Sequence, residues 1–492
     1  MLNRGREVAI SRRGIAGTIA ALAASLAMTA CAHFSPDGGM LPVEEQAGAQ
    51  LDKDVVKISN QADAAAIEAR VQSLLAEPIG PESAVQIALL NNRGLQAAYN
   101  ELGVSEAQMV EASLPPSPAF ALSKLFTTGQ FEIERQIVQN VLGLLTLPRR
   151  REIAEAKFQQ AQVRAVEETL RTAAIASRAY YRTVAANQTV SFLERARLSA
   201  ESVSELSKKL GETGALPKLD QAREHAFYAE VSAQLAIARL RQRSERQKLN
   251  RALGLWGAQT SYELPGVLAK LPPPPPAIAD VETQAVLSRA DLQIARMELA
   301  ILAKQYDLTS ATRFINMLEV AGINTSDNTL IPQTNGEELR DKEKFNGYEI
   351  GFQIPIYDFG RARTRLAEQE YMRAVNLLIE SAVNVRSQAN EAYQTYRGTY
   401  DIARHFEKEI LPLREIISEQ ELLNYSGMLT DLFELLADAR ARILANVQAI
   451  EARRDFWLAK VDLHVAIVGG GAADAPSGPS ETAALAPSAS AD

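Results

Sequence analysis

Tyr348-Glu349-Ile350-Gly351-Phe352-Gln353-Ile354-Pro355-Ile356 is the stretch whose reading decides the fold. Tyr348, Ile350, Phe352, Ile354 and Ile356 alternate with Glu349, Gly351, Gln353 and Pro355. That period of two predicts a strand with one apolar and one mostly polar face. Phe131, Ile133 and Ile137 alternate with Glu132, Glu134 and Gln136 in the same way, with Arg135 as the exception. Phe120, Leu122 and Phe126 line one face of a preceding strand, interrupted by Lys124, and Thr127-Thr128-Gly129 forms the tight turn between the two. A fourth strand is placed near Phe314 to Ile323, where alternation is not clean, from its position in a repeat. Thr325 to Gly347 reads as a long polar loop holding Asn328, Asn335 and Asn346.

The repeat is tandem. Leu90, Leu95, Gln96, Ala98, Glu101 and Leu102 match Leu287, Leu292, Gln293, Ala295, Glu298 and Leu299. Phe131, Glu132, Ile133, Gln136 and Ile137 match Tyr348, Glu349, Ile350, Gln353 and Ile354. Gly214, Leu216 and Leu219 match Gly427, Leu429 and Leu432. The offsets are 197, 217 and 213 residues. Each half reads helix, strand, strand, long helix, turn, long helix. The first helix is expected over Pro81 to about Glu111, and over Glu282 to about Leu308 in the second half. Pro81 suits a first helical position, and Pro115-Pro116-Ser117-Pro118 stops that helix. Arg149 to about Leu210 predicts a helix of about 62 residues, roughly 90 Å long. Arg361 to about Tyr425 is comparable, with Gly398 and Pro412 as expected interruptions. Both are rich in Ala and Gln, and helices this long form coiled coils or the walls of something large.

The ends and joints read differently. Residues 1–30 carry four Arg and one Glu in a basic start, then the uncharged small-residue run Gly14 to Ala30, and predict a signal peptide. Cys31, the single cysteine, follows Met28-Thr29-Ala30 as in a bacterial lipobox, so it is the expected lipidation (palmitate) site; the competing reading is an ordinary signal with a chance cysteine. Ala32 rather than Asp resembles the sorting signal for the outer membrane. Residues 31–79 form a lipidated lead-in, 80–270 the first repeat, 271–281 a Pro-rich linker with five consecutive prolines, 282–468 the second repeat, and 469–492 a disordered Gly/Ala/Ser/Pro tail.

Composition narrows the function. The 492-residue chain is 47% hydrophobic with net charge −8, and without residues 1–30 it is −11, which opposes a non-specific nucleic-acid binder. One cysteine and four scattered histidines leave no disulfide and no metal triad, and no nucleophile elbow or phosphate loop appears, so no catalytic residues, metal or cofactor are expected. Beyond residue 31, nothing approaches 18 consecutive apolar residues, so further membrane contact falls to strands of about 9–11 residues. Four such strands cannot close a barrel, and open edges are not tolerated in lipid. Three copies supply twelve strands around a wet lumen, which Glu132, Glu134, Gln136, Glu349 and Gln353 would line.

At Gly351-Phe352-Gln353-Ile354-Pro355-Ile356-Tyr357-Asp358-Phe359-Gly360 the chain resembles the TolC-type outer-membrane factors, in the lipoprotein branch, and the resemblance extends over about residues 80 to 468. Pro355 fits a strand end and Asp358 a helix cap. The resemblance implies a mainly α fold with a small β part: a homotrimer with a 12-stranded β-barrel in outer-membrane lipid, continuous with a periplasmic α-helical barrel. It also implies efflux driven by an inner-membrane pump, of the resistance-nodulation-division type, through a periplasmic adaptor (membrane fusion protein). By resemblance, the turns at Gly211, Gly214 and Leu216 and at Gly427, Met428, Leu429 and Thr430 meet the adaptor. Asp220 stands where the family has an acid six residues after the tip glycine; in the second repeat Phe433 occupies that position, with Asp431 and Glu434 flanking it. These three acids are the aperture candidates, and a solvated acid complementing a helix dipole is the other reading of Asp220. Asn424 to Arg440 resembles the tip of members found beside heavy-metal efflux systems, while Met109, Met297, Met317, Met372 and Met428 are dispersed and read as packing. The alternative for the whole chain is a lipid-anchored periplasmic coiled-coil tether without a pore.

Overall fold

The structure is a computed structural model that describes residues 34–127, 130–276, 278–332, 338–427 and 429–471. Expectations placed on residues 1–30, Cys31, Met428 and the tail from 472 lie outside these residues. After a short helical segment at 41–51, the first half contains α1 (Gln61–Leu75), α2 (Pro81–Asn91), α3 (Arg93–Ser113), β1 (Ala119–Thr127), β2 (Gln130–Asn140), α4 (Val141–Glu212) and α5 (Lys218–Leu253). The second half contains α6 (Val281–Ser288), α7 (Ala290–Ala311), β3 (Met317–Pro332), β4 (Glu338–Gln353), α8 (Arg361–His405), α9 (Leu411–Ser426) and α10 (Leu432–Val468). From α2 onward the two halves repeat the same order of helices and strands.

The chain divides into two compact units. The first comprises residues 1–39, 101–162 and 295–378, and the second 40–100, 163–294 and 379–492. In the first unit the strands form one antiparallel sheet in the order β1-β2-β3-β4. β2 pairs with β3, joining the two halves edge to edge from Gln130↔Thr329 to Asn140↔Glu319. β3 and β4 pair from Met317↔Gln353 out to Pro332↔Glu338. Of the expected polar loop at 325–347, the described residues 325–332 and 338–347 are therefore strand. Its polarity on both faces erased the alternation signal, but the backbone ladder needs no apolar side. Polar side chains brace it: Asn324 Nδ2 donates to Asn346 Oδ1 (2.7 Å) and Arg135 Nη1 to Asn324 Oδ1 (3.1 Å).

β4 ends at Gln353, three residues before the expected end. Pro355 has no N–H to give the ladder. The chain then turns through Phe359 (φ 49°) and Gly360 (φ 72°) into α8. Asp358 directs this turn: its Oδ1 accepts from Gly360 N at 3.0 Å and its Oδ2 from Ala362 N at 3.1 Å. These backbone donors hold the Asp358 carboxyl below its ordinary range.

The second unit is organised around buried aromatic rings. Tyr181 stacks on Trp457 with centroids 5.3 Å apart, and Phe456 contacts Tyr396, Tyr400 and Trp457. Ile87, Leu90, Leu249 and Leu253 complete this cluster. Fully burying one such side chain contributes about 1.5–3 kcal/mol. Both expected first helices are broken, α2 from α3 at Asn92 and α6 from α7 at Arg289. The breaks lie at the repeat offset of 197 residues. Asn92 Oδ1 accepts from Gly94 N and Leu95 N, restarting the helix, while its Nδ2 donates to Ala252 O. Arg289, 6% exposed, donates twice to Asp291 and once to Gln388. Both breaks fall at polar residues, Asn91-Asn92-Arg93-Gly94 and Ser288-Arg289, through which the expected helices ran.

The long helices also differ from their expected limits. α4 begins at Val141 and carries Pro148 in its interior. Gly398 does not interrupt α8. At Pro412 the helix widens into a π-turn, Phe406–Ile410, before α9, which accommodates a residue that cannot donate to the preceding turn.

A Cβ at Gly360 would lie 2.2 Å from the Arg313 carbonyl oxygen, whereas Gly351 has open space around it. Gly360→Ala is therefore expected to cost on the order of 1–3 kcal/mol or more, and Gly351→Ala less than about 0.5 kcal/mol, in denaturant unfolding followed by circular dichroism. Equal effects would contradict this account of the strand-to-helix turn.

Candidate functional site

The sheet register sorts side chains onto two faces. Directly opposed residues point the same way in an antiparallel pair, and alternate residues point oppositely. Phe120↔Ile137 and Gly322↔Tyr348 therefore share a face with Leu122, Ile133, Val320, Ile350 and Phe352. This face is open: Phe120 is 75% exposed and Tyr348 80%. Glu132, Glu134, Gln136, Glu349 and Gln353 all fall on the opposite face, beside Ala121, Ser123, Thr325 and Asp327. Two halves of the chain thus deliver their carboxylates to one surface. The two exceptions to alternation, Lys124 and Arg135, lie on the apolar face, Lys124 opposite Ile133 and Arg135 opposite Leu122. Lys124 Nζ stands 4.8 Å from the Phe126 ring centroid and 5.2 Å from that of Phe131, a cation–π arrangement that the alternation pattern alone did not suggest.

The helix turns lie in the second unit. After α4, Ala215 N donates to Leu210 O (2.8 Å) and Gly214 N to Gly211 O (3.0 Å), with Gly214 at φ 76°. This is a Schellman ending. Gln221 packs against Gly211 and donates to Leu216 O at 2.9 Å, bracing the turn from α5. The other turn differs. Gly427 has φ −82°, Gly427 N donates to Leu423 O, and Leu429 N donates to Asn424 O at 2.8 Å. Leu429 is exposed, and Thr430 Oγ1 is buried with no hydrogen-bond partner among the described residues.

The three aperture candidates all sit at helix starts. Asp220 lies in the first turn of α5 and accepts from Arg223 Nη1 at 3.2 Å. Asp431 caps α10, accepting from Glu434 N at 2.9 Å, with Glu434 in the first turn. Each carboxylate complements a helix dipole. The unexpected feature is what joins them. The Arg223 guanidinium that pairs with Asp220 lies 5.6 Å from the Phe433 ring centroid, so the repeat-equivalent positions 220 and 433 meet on one arginine. A turn higher, Arg440 pairs with Glu230 at 2.8 Å and lies over Phe227. The repeat offset marks the 220/433 substitution, but not the arginines, which lie on opposite repeats. Beneath them Ala200, Phe227, Val231 and Leu436 form a buried cluster. Glu224 is 2% exposed, and its Oε2 has no hydrogen-bond partner among the described residues. Burial pushes its carboxyl above the ordinary range, partly offset by the charge of Arg440. Among the described residues no cluster of three or more His, Cys, Asp or Glu is placed to hold a metal, and no helix is long and apolar enough to cross a membrane.

No protein-family model and no curated protein matches the chain. Solved structures do. The Campylobacter jejuni CmeC outer membrane channel superposes with TM-score 0.65 at 16% identity, covering 80% of this chain and 86% of its own. The open state of the Neisseria gonorrhoeae MtrE outer membrane channel gives 0.60 at 16%, covering 82% and 90%. CusC, whose structures concern folding and transmembrane channel formation, gives 0.62 at 15%, covering 80% and 92%. The chain therefore has the fold of these outer membrane channels, the one that the strand-to-helix motif implied.

The raised Glu224 value sets a pH dependence. The folded state holds this proton more tightly than the unfolded chain does, so its contribution is present near and below the ordinary carboxylate value of about 4.3 and is lost as pH rises through the raised value. Thermal melts from pH 4 to 8 are expected to show a wild-type decline across this window that Glu224→Gln flattens, with the variant more stable at pH 7. Parallel profiles would remove Glu224 from this role.

Proposed function

We propose that this chain is one protomer of a trimeric channel in the bacterial outer membrane, the passive exit duct of a tripartite efflux system. The observation that carries the reading is the four-stranded sheet, apolar on one face and acidic on the other, with β1 and β4 both unpaired at its edges. In this meander β1 and β4 run in opposite directions. β4 of one copy can therefore pair antiparallel with β1 of the next, a head-to-tail contact that repeats until the ring closes. Three copies close at twelve strands.

The apolar face suits lipid. From Phe120 to Phe126 is about 20 Å along a strand, close to the apolar band of about 25 Å in outer-membrane barrels. Aromatic residues stand at both ends of that band, Phe120, Tyr348 and Phe352 at one and Phe126 and Phe131 at the other. Lys124 lies toward the second end, where a long cation reaches the interface, while Arg135, opposite Leu122 within the band, donates to Asn324 Oδ1 on the neighbouring strand. The acidic face then lines a wet lumen. Helices α8 and α9 carry further uncovered apolar residues, Leu366, Leu377 and Val383 and Leu413, Ile416 and Leu423, as expected of surfaces that meet other copies.

In this reading the turns at Gly211–Leu216 and Gly427–Thr430 contact a periplasmic adaptor, and an inner-membrane pump of the resistance-nodulation-division type supplies the cargo, small molecules or metal ions. Cys31 carries acyl chains that anchor the N-terminus. The chain performs no chemistry of its own; charge and width select what passes.

The detergent-extracted protein is expected to have the mass of a trimer and to give cation-preferring conductance in planar bilayers. Glu132→Gln combined with Glu349→Gln should weaken that preference, and Asp220→Asn should alter conductance if Asp220 borders the aperture. A monomer without conductance would overturn the reading and favour a coiled-coil tether; unchanged conductance in Asp220→Asn would return that residue to a helix-end role.

A further inference from the structure

A cleft of about 370 Å³ opens in the first unit among α3, α4 and α7, within the size range of small-ligand sites. Its floor is apolar: Ile153 and Ala154 from α4, Met109 from α3 and Leu308 from α7. Arg150 and Lys157 also line it, one on each side of Ile153 and Ala154 along α4, with Gln108 and Gln305 from the other two helices. The α4 spacing i, i+3, i+4, i+7, i+8 puts all five of that helix's contributions, Arg150, Ile153, Ala154, Lys157 and Phe158, on one face.

The charge pattern gives the cleft its character. Neighbouring cations are neutralised: Arg149 pairs with Glu152 (3.2 Å), Arg151 with Glu155 (2.8 Å) and Lys304 with Glu152 (3.1 Å). The Glu152 carboxyl is held below its ordinary range by Lys304 first and Arg149 after it. Arg150 and Lys157, the two that face the cleft, have no ion pair or side-chain hydrogen bond to any described residue. They are seven residues apart, about 10.5 Å along the helix, and two long side chains can converge across that span. Unpaired cations beside an apolar floor match an anionic head attached to a hydrocarbon chain.

The position supplies the source. Arg150 lies ten residues after Asn140, the last residue of β2, or about 15 Å along α4. We propose that this cleft binds an anionic phospholipid of the periplasmic leaflet, its phosphate between Arg150 and Lys157 and an acyl chain over Ile153, Ala154, Met109 and Leu308. The inference rests on the membrane-spanning reading of the sheet for the origin of the lipid. The cleft itself is formed within one protomer. Lipid held there ties the helices directly below the sheet to the bilayer surface.

The test is native mass spectrometry of the full-length protein in non-ionic detergent, titrated with dioctanoyl phosphatidylglycerol, dioctanoyl phosphatidylcholine or glycerol phosphate. Saturable retention of the phosphatidylglycerol, at one per protomer, is expected, with at least tenfold weaker retention of the zwitterionic lipid and none of the chainless phosphate. Arg150→Gln combined with Lys157→Gln should weaken retention on the order of 30-fold, at roughly fivefold per cation near a lipid surface. Both substitutions are solvent-accessible and polar, and circular dichroism checks that the variant folds. Equal retention of the two lipids, or unchanged retention in the double variant, would overturn the proposal. The same spectra report the oligomer: a trimer without lipid sinks only this inference, whereas a monomer sinks the duct.

Discussion

Unpaired backbone at the two sheet edges is the constraint from which the account follows. β1 and β4 each present an edge of N–H and C=O groups with no strand partner among the described residues. Water can satisfy such groups, but hydrocarbon cannot, at a cost of several kcal/mol for each one left bare. The sheet also exposes large apolar side chains on one face, including Phe120, Leu122, Tyr348 and Phe352. That face favours lipid while the edges forbid it. Closure by sister copies, as proposed, would remove the conflict, and the opposite directions of β1 and β4 make such closure geometrically repeatable. The acidic face would then lie inside, where only water can keep its carboxylates charged.

Much of this was legible in the sequence, for identifiable reasons. Where one face is apolar and the other polar, as in Phe131–Ile137 and Tyr348–Gln353, alternation located the strand and assigned its faces. Where both faces are polar, as in Thr325–Gly347, alternation vanished and the segment read as a loop, although residues 325–332 pair with residues 338–347. The breaks at Asn92 and Arg289 were hidden for a different reason. Each falls in a short polar run that a helix could carry on its exposed face, and each is fixed by side-chain bonds to distant segments, Ala252 and Gln388. Helix limits moved where proline was tolerated: Pro148 within α4, and Pro412 behind a π-turn.

The helix turns show how far a repeat can predict a site. The offset located both turns, and their glycines are equivalent in sequence. Only Gly214 uses the left-handed conformation that glycine permits; Gly427 does not. The exchange of an acid for Phe433 reads as a loss in one dimension. In three dimensions Arg223 spans both positions, paired with Asp220 and set against the Phe433 ring. The charge at one turn and the ring at the other belong to one arrangement, which no single-repeat motif displays.

The edge-closure claim is tested most directly by cross-linking across the proposed seam. Cys31 is the only native cysteine, so Cys31→Ser leaves a clean background in which Leu122→Cys on β1 can be combined in turn with Tyr348→Cys, Ile350→Cys or Phe352→Cys on β4. Under oxidation in membranes, one of these pairs is expected to give covalent dimers and trimers on denaturing gels, with the trimer as the largest species. Absence of intermolecular bands at every register, with each variant folded, would contradict closure through β1 and β4.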